Sequence, residues 1–383
     1  MSFYLDIGYS QLNKKGEEVC GDSIEVLHAK DSTIIVLADG LSSGAKAGII
    51  SRITAKTAAT MLKRGLHIDE VIEIMAEALP MDKVRNLAYS TFSILQVFND
   101  GRAYLAEFDT PPVYLCRQGS LLHIERSKRK IGCKQISEAH FRLKEGDWMV
   151  LMSDGVLRAG IGEEWNTGWG ERQVCSFIKG LADKDFDSMD IAEETTGKCN
   201  DLYNGNPGDD VSVVVVKFRK SRKLTALIGP PQKFIDDRKA VEKLMKAEGK
   251  KVVCGGSTSG LVSRILKKEE TVNLESETDI VPPTGSINGI DLVTEGVITI
   301  HHALQLLKNG IKIKELEHAR DGASLLAAEL LKADKVHSIV GLAVNQAMHK
   351  PGFPEYCAAK SQTVRDIAET LIDRGKKVTI EYL

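Results

Sequence analysis

The sequence predicts an α+β chain in two parts: a sandwich of two packed sheets with helices on its outer faces, then a smaller α/β domain. Three observations lead there. Short apolar or alternating runs bounded by turn residues fill the first 218 positions, and two helical blocks interrupt them. Beyond position 224 strands and helices alternate.

Taken in order, residues 4–9, 23–28, 33–38, 91–98, 103–108, 113–116, 121–124, 140–143, 148–152 and 211–218 read as strands. Turn signals at Asn99-Asp-Gly101, Gln118-Gly119, Glu145-Gly-Asp147 and Asn206-Pro-Gly208 separate them. The helical blocks span 45–79, broken near Gly65, and 171–203, broken around 182–187. Helices that arrive in pairs between strand runs have an apolar face to bury, and a sheet's outer face takes it. The charged segment Arg219-Lys-Ser-Arg-Lys223 falls where the pattern changes and marks a boundary between domains 1–218 and 224–383. In the second domain, strands at 224–228, 251–254, 337–344 and 377–382 alternate with helices at 231–248, 259–267, 299–308, 322–331 and 361–374. That rhythm implies a parallel or mixed sheet with helices on its faces.

Composition narrows the function classes. With 43% hydrophobic and 27% charged residues, the 383-residue chain is of ordinary globular type. A net charge of −2 gives no polyanion-binding surface, so no nucleic-acid partner is expected, and the basic run 126–130 reads as a solvated loop. No apolar run reaches membrane length and the first residues lack a signal-peptide layout, which points to a cytoplasmic protein without a membrane partner. Seven cysteines without repeated short spacing argue against a disulfide framework or a zinc site.

The stretch from Ser32 to Gly44 organises the first domain. A buried strand at 34–38 ends in Asp39, and Gly40 then turns the backbone with its carbonyl exposed. A carboxylate beside an open carbonyl suits a hard cation that takes oxygen ligands. One Asp-Gly is also the commonest turn dipeptide. The chain repeats the arrangement, however, with Asp22 in Cys20-Gly-Asp-Ser23, Asp154 in Met152-Ser-Asp-Gly155, and Asp209 and Asp210 in Gly208-Asp-Asp-Val-Ser212. Asp is disfavoured in strands, so carboxylates set against the ends of core strands call for a reason. Together they form an oxygen cage able to hold two divalent cations and clamp a phosphate.

The order of these motifs resembles that of the metal-dependent protein Ser/Thr phosphatases of type 2C, and more closely their bacterial SpoIIE-type branch. The matching elements are Gly-Asp-Ser, then Ala38-Asp-Gly-Leu-Ser-Ser-Gly44 before a long helix, then Ser-Asp-Gly, then Gly-Asp-Asp-Val-Ser. The hairpin Phe108-Asp-Thr-Pro-Pro-Val-Tyr-Leu-Cys-Arg-Gln-Gly119 is also similar, and the resemblance covers residues 1–218. It implies an αββα sandwich, and a phosphatase that hydrolyses phosphoserine or phosphothreonine on a partner protein in bacterial signalling. It further implies two Mn²⁺ or Mg²⁺ ions bridged by Asp39, with the Gly40 carbonyl on one of them and a metal-bound hydroxide as nucleophile. Asp154 and Asp209 would complete the first ion's shell, and Asp22 would approach the second through water. The chain departs from the eukaryotic pattern in having no Arg ahead of the first acidic motif. Lys14 and Lys15 stand there as point charges for phosphate.

The second domain offers Cys254-Gly-Gly-Ser-Thr-Ser-Gly260, where a strand feeds a Gly/Ser-rich turn that opens a helix. Backbone N–H groups of Gly255, Gly256, Ser257, Thr258 and Ser259 would cradle a small phosphorylated or carboxylate ligand. Helix capping by Ser257 to Ser259 explains the same residues. Asp291 and Glu295 are spaced to share a helix face. His301 and His302 point apart on a helix and make no two-ligand metal face. Cys254 reads as a core thiol. Trp165 and Trp169 are candidates for a flap beside the metal cleft, and residues 349–354 for a surface lid. The second domain would then be a regulatory or oligomerisation module, with a homodimer as a candidate assembly. The alternative is a phosphatase-like signalling module with little turnover, whose second domain binds the small anionic ligand.

Overall fold

The computed structural model describes residues 3–41, 44–78, 81–82, 87–88, 90–131, 134–161, 167–182, 186–316, 318–343 and 360–383. The chain divides into two compact units, Met1–Lys220 and Ser221–Leu383. In the first unit the early strands are β1 (Phe3–Leu12), β2 (Asp22–His28), β3 (Ser32–Gly40), a small pair β4 (Met81–Asp82) and β5 (Leu87–Ala88), and β6 (Ser90–Phe98). The later strands are β7 (Arg102–Phe108), β8 (Tyr114–Arg117), β9 (Ser120–Leu122), β10 (Ser127–Ile131), β11 (Lys134–Arg142), β12 (Trp148–Met152) and β13 (Val211–Lys220). The helices are α1 (Gly44–Lys63), α2 (Ile68–Ala78), α3 (Asp154–Leu157), α4 (Gly170–Ala182) and α5 (Ser188–Leu202).

Two antiparallel sheets result, one ordered β1-β13-β12-β8-β9 and the other β10-β11-β7-β6-β3-β2. Their central strands are buried on both faces, which is why the sequence shows unbroken apolar runs there and not alternation. Along β3, Ile34, Val36 and Ala38 pack on α1 and α2, while Ile35 and Leu37 face the opposite sheet. β13 divides in the same way: Val211, Val213 and Val215 lie against α4 and α5, and Val214 and Val216 point between the sheets. Three apolar layers therefore hold an αββα sandwich. Each fully buried Val, Leu or Ile contributes about 1.5–3 kcal/mol.

The basic run at 126–130 is not a solvated loop. It enters the edge strand β10, paired with β11, and its two arginines have partners. Arg126 bonds Glu107 at 2.5 Å, and Arg129 reaches Asp69 at 3.1 Å. The strand expected at 121–124 forms as β9 over 120–122, and a four-residue helix, α3, follows β12.

In the second unit the strands are β14 (Lys223–Ile228), β15 (Lys250–Cys254), β16 (Glu270–Asn273), β17 (Thr284–Ile287), β18 (Leu292–Thr294), β19 (Lys335–Val340) and β20 (Lys377–Tyr382). The helices are α6 (Phe234–Lys246), α7 (Gly256–Leu266), α8 (Val297–Lys308), α9 (Gly322–Lys332) and α10 (Lys360–Asp373). Five parallel strands run β18-β15-β14-β19-β20, and β17 and β16 add antiparallel to the β18 edge. One face of this mixed sheet buries Leu224, Ala226 and Ile228 against α8, α9 and α10; the other buries Leu227 and Val253 against α6 and α7. Among the described residues no helix is long and apolar enough to cross a membrane.

Candidate metal centre

The four candidate carboxylates come from four strand ends at one end of the sandwich. β2 and β3 run antiparallel in a register that sets Asp22 opposite Asp39. Asp154 opens α3 straight after β12, and Asp209 stands just ahead of β13. β12 and β13 are neighbours in one sheet, β2 and β3 in the other, so the cluster spans both. Ser212 closes the gap: its hydroxyl donates to Asp22 Oδ2 at 2.6 Å. Ser153 supports the same corner, its Oγ accepting the Ser212 N–H at 2.9 Å.

Two glycines permit the close packing. A Cβ on Gly155 would overlap the Asp210 carbonyl oxygen, and one on Gly40 would overlap the Ala47 carbonyl of α1. Neither position tolerates a side chain without moving the backbone that carries the acids.

The electrostatics are those of crowded anions. Burial raises the Asp39 pKa to about 9, helped by the negative charges of Asp22, Asp154 and Asp209. Asp22 is 4% exposed, and burial pushes it up to about 6 against the pull of hydrogen bonds from Ser212 and Ser153. Asp154 is also raised by burial, with Arg158 pulling it back down. Asp22 Oδ1 is buried without a hydrogen-bond partner. An orphaned carboxylate oxygen amid mutually repelling acids fits a divalent cation. Among the described residues, no group of three acids, His or Cys is placed to grip one ion as the side chains stand. Arg158 instead ties Asp154 and Asp209 together, at 2.8 and 3.0 Å.

The paired acids 209 and 210 separate in role. Asp210 is buried and accepts the Lys14 N–H at 3.0 Å, so it holds the Lys14–Lys15 segment in place. Lys15 is exposed, and its N–H donates to the Pro207 carbonyl at 2.8 Å, which places it by the loop that bears Asp209. Ser42 and Ser43 of the loop after Gly40 lie outside the described residues. So do Trp165 and the 349–354 segment. Trp169 is no flap: it is buried in the core, edge-on to Phe177 at 5.3 Å. Arg158, Ser153 and Ser212 were absent from the sequence-derived set. Arg158 lies four residues after Asp154, a spacing that could have flagged it.

In the second unit the Gly/Ser-rich stretch is the first turn of α7 itself, and the helix starts earlier than expected. Gly255, at φ +119, is its N-cap, and no side chain caps it. Gly256 and Ser257 are exposed, Ser259 Oγ donates to the Gly256 carbonyl, and Thr258 Oγ1 is buried without a partner. Asp291 and Glu295 do not share a helix face, because β18 lies between them. Asp291 accepts the Lys251 N–H at 2.8 Å. The Glu295 carboxylate lies beside Gly256, where an incoming anion would meet it. His301 and His302 stack edge-to-face on α8, 5.9 Å apart. Burial raises the Cys254 thiol to about 11, as befits a core cysteine.

Residues 29–219 match the family model for stage II sporulation protein E (SpoIIE). No curated protein matches the chain. Among solved structures, the PP2C phosphatase domain with a fragment of the regulatory domain of the cell fate determinant SpoIIE from Bacillus subtilis is 24% identical, with a TM-score of 0.50. That match covers 57% of this chain and 64% of the other. A second structure, of the SpoIIE phosphatase domain alone, is also 24% identical over 57% of this chain and 94% of its own, with a TM-score of 0.45. The S. agalactiae serine/threonine phosphatase is 16% identical over 56% and 99%, with a TM-score of 0.42.

Proposed function

We propose, on the premise that the N-terminal unit of this chain belongs to the SpoIIE family of type 2C protein phosphatases, that it hydrolyses phosphoserine or phosphothreonine on a partner protein at a site for two divalent cations. The gathering of Asp22, Asp39, Asp154 and Asp209 from four strand ends, with a buried unpaired oxygen on Asp22, supports this most directly. Asp22, Asp39, Asp154 and Asp209, with the Gly40 carbonyl beside Asp39, are the groups that would hold the ions. Mn²⁺ or Mg²⁺ would supply Lewis acidity toward the phosphoryl oxygens and activate water for in-line attack.

The chain's own residues prepare that chemistry. Ser212 orients Asp22, and the antiparallel register keeps Asp22 and Asp39 face to face. Lys14, whose N–H donates to the Asp210 carboxylate, and Lys15, whose N–H donates to the Pro207 carbonyl, would offer positive charge to the incoming phosphate.

The C-terminal unit is assigned a regulatory or assembly role. Its parallel strands lie in the order third, second, first, fourth, fifth, so the direction of winding reverses between β14 and β19. Open sheets of this kind take ligands beyond the carboxyl ends of their strands. Gly229 and Gly255, both with positive φ, follow β14 and β15 there. A small anionic ligand at residues 255–259 is the proposed occupant, held by the N–H groups of the first turn of α7 against the nearby Glu295 carboxylate.

The test is hydrolysis of p-nitrophenyl phosphate with and without Mn²⁺ by wild type and Asp39→Asn. Mn²⁺-dependent turnover that Asp39→Asn loses is the expected result. Turnover retained in the variant would remove Asp39 from the metal site.

A further inference from the structure

Two of the four carboxylates are already bound to a cation of the chain itself. Arg158 Nη2 lies 2.8 Å from Asp154 Oδ2, and Nη1 donates to Asp209 Oδ2 at 3.0 Å. One guanidinium therefore spans acids brought together from α3 and from the loop before β13. The root of this side chain is fixed. The Arg158 N–H donates to the Asp154 carbonyl at 3.0 Å, and the Trp169 N–H to the Ala159 carbonyl at 2.8 Å. Gly168, at φ +78, packs so tightly here that a Cβ would come within 2.9 Å of Arg158 Cα. The tip is open to solvent: the Arg158 side chain is 54% exposed, against 36% for Asp154 and 28% for Asp209.

We propose that Arg158 is an intramolecular counter-ion that competes with the first divalent cation for Asp154 and Asp209, so that metal affinity is set by exchange of a guanidinium for a metal at the same oxygens. The proposal rests on the metal-site reading above. The exchange is feasible because half-exposed ion pairs are weak in water, whereas a fully buried pair would resist it. Once released, the guanidinium stays tethered at the end of α3.

Mn²⁺ titration calorimetry on the full chain tests this with wild type, Arg158→Ala and Arg158→Gln, the second variant guarding against misfolding of the first. Removing the competitor lowers the Mn²⁺ Kd by about three- to tenfold, the order set by two half-exposed pairs. Arg158→Lys falls between. The melting temperature of the chelator-treated variants drops, and Mn²⁺ raises it by more than in wild type. A merely structural ion pair would leave the Mn²⁺ Kd unchanged or raise it, and either result overturns the proposal. Wild type that binds no Mn²⁺ overturns the metal-site reading and this proposal together; wild type that binds it as the variants do overturns only this one.

Discussion

Asp39→Asn separates the electrostatics of the site from its chemistry. In the folded chain Asp39 holds its proton up to about pH 9, against 3.8 for the ordinary carboxyl. A raised folded pKa contributes stability that is fully present below pH 3.8 and is lost as pH rises toward 9. In that window each pH unit costs about 1.4 kcal/mol. From pH 5 to pH 8 the ceiling is therefore about 4 kcal/mol. Burial is the first cause of the shift and the charges of Asp22, Asp154 and Asp209 add to it, so the loss stays below that ceiling, on the order of 2 kcal/mol. Asn carries no charge at either pH and escapes it. All three tryptophans, at 148, 165 and 169, belong to the N-terminal unit, so their fluorescence in urea reports that unit without the other. With chelator present, wild type should lose about 2 kcal/mol between pH 5 and 8, and Asp39→Asn much less. Mn²⁺ should restore wild type at pH 8 and leave the variant unchanged. Wild-type stability that is flat or rising with pH, or a variant weaker than wild type at pH 8, would refute the reasoning.

Three further outcomes follow from individual contacts. Glu107→Ala removes a buried carboxylate that accepts from Arg126 at 2.5 and 3.0 Å and from the Val113 N–H at 2.6 Å. Urea unfolding should show a loss of about 3–5 kcal/mol, since Arg126 is left largely buried without its partner. Gly155→Ala forces a methyl group onto the Asp210 carbonyl; it should cost about 1–3 kcal/mol and abolish Mn²⁺ binding by calorimetry. Gly256→Val crowds the first turn of α7 beside Glu295, and should weaken orthophosphate binding by the C-terminal unit while Mn²⁺ binding stays intact. Unchanged orthophosphate binding would reduce that turn to a plain helix start.

What was legible in the sequence follows burial. β3, β12 and β13 are packed on both faces, so their apolar runs stand out, and the acids at their ends are conspicuous. β10 was hidden because an edge strand rich in Lys and Arg has the composition of a loop. Its Arg129 is answered by Asp69 on α2 and Glu138 on β11, partners set by tertiary structure. The acid set could be read from the order of its motifs, but its supports could not. Ser212 meets Asp22 across 190 positions, and Arg158 meets Asp209 across 51. In the second unit the Gly-Gly-Ser-Thr-Ser stretch looks like a turn because glycine is a weak helix former, yet it folds as helix from Gly256 onward.

The most direct measurement of the central claim is phosphate release from a phosphoserine or phosphothreonine peptide as Mn²⁺ is titrated into the full chain. The account expects no release with chelator, saturable release with Mn²⁺, and none at any Mn²⁺ concentration from Asp39→Asn. Release that is indifferent to Mn²⁺, or that survives in Asp39→Asn, would contradict it.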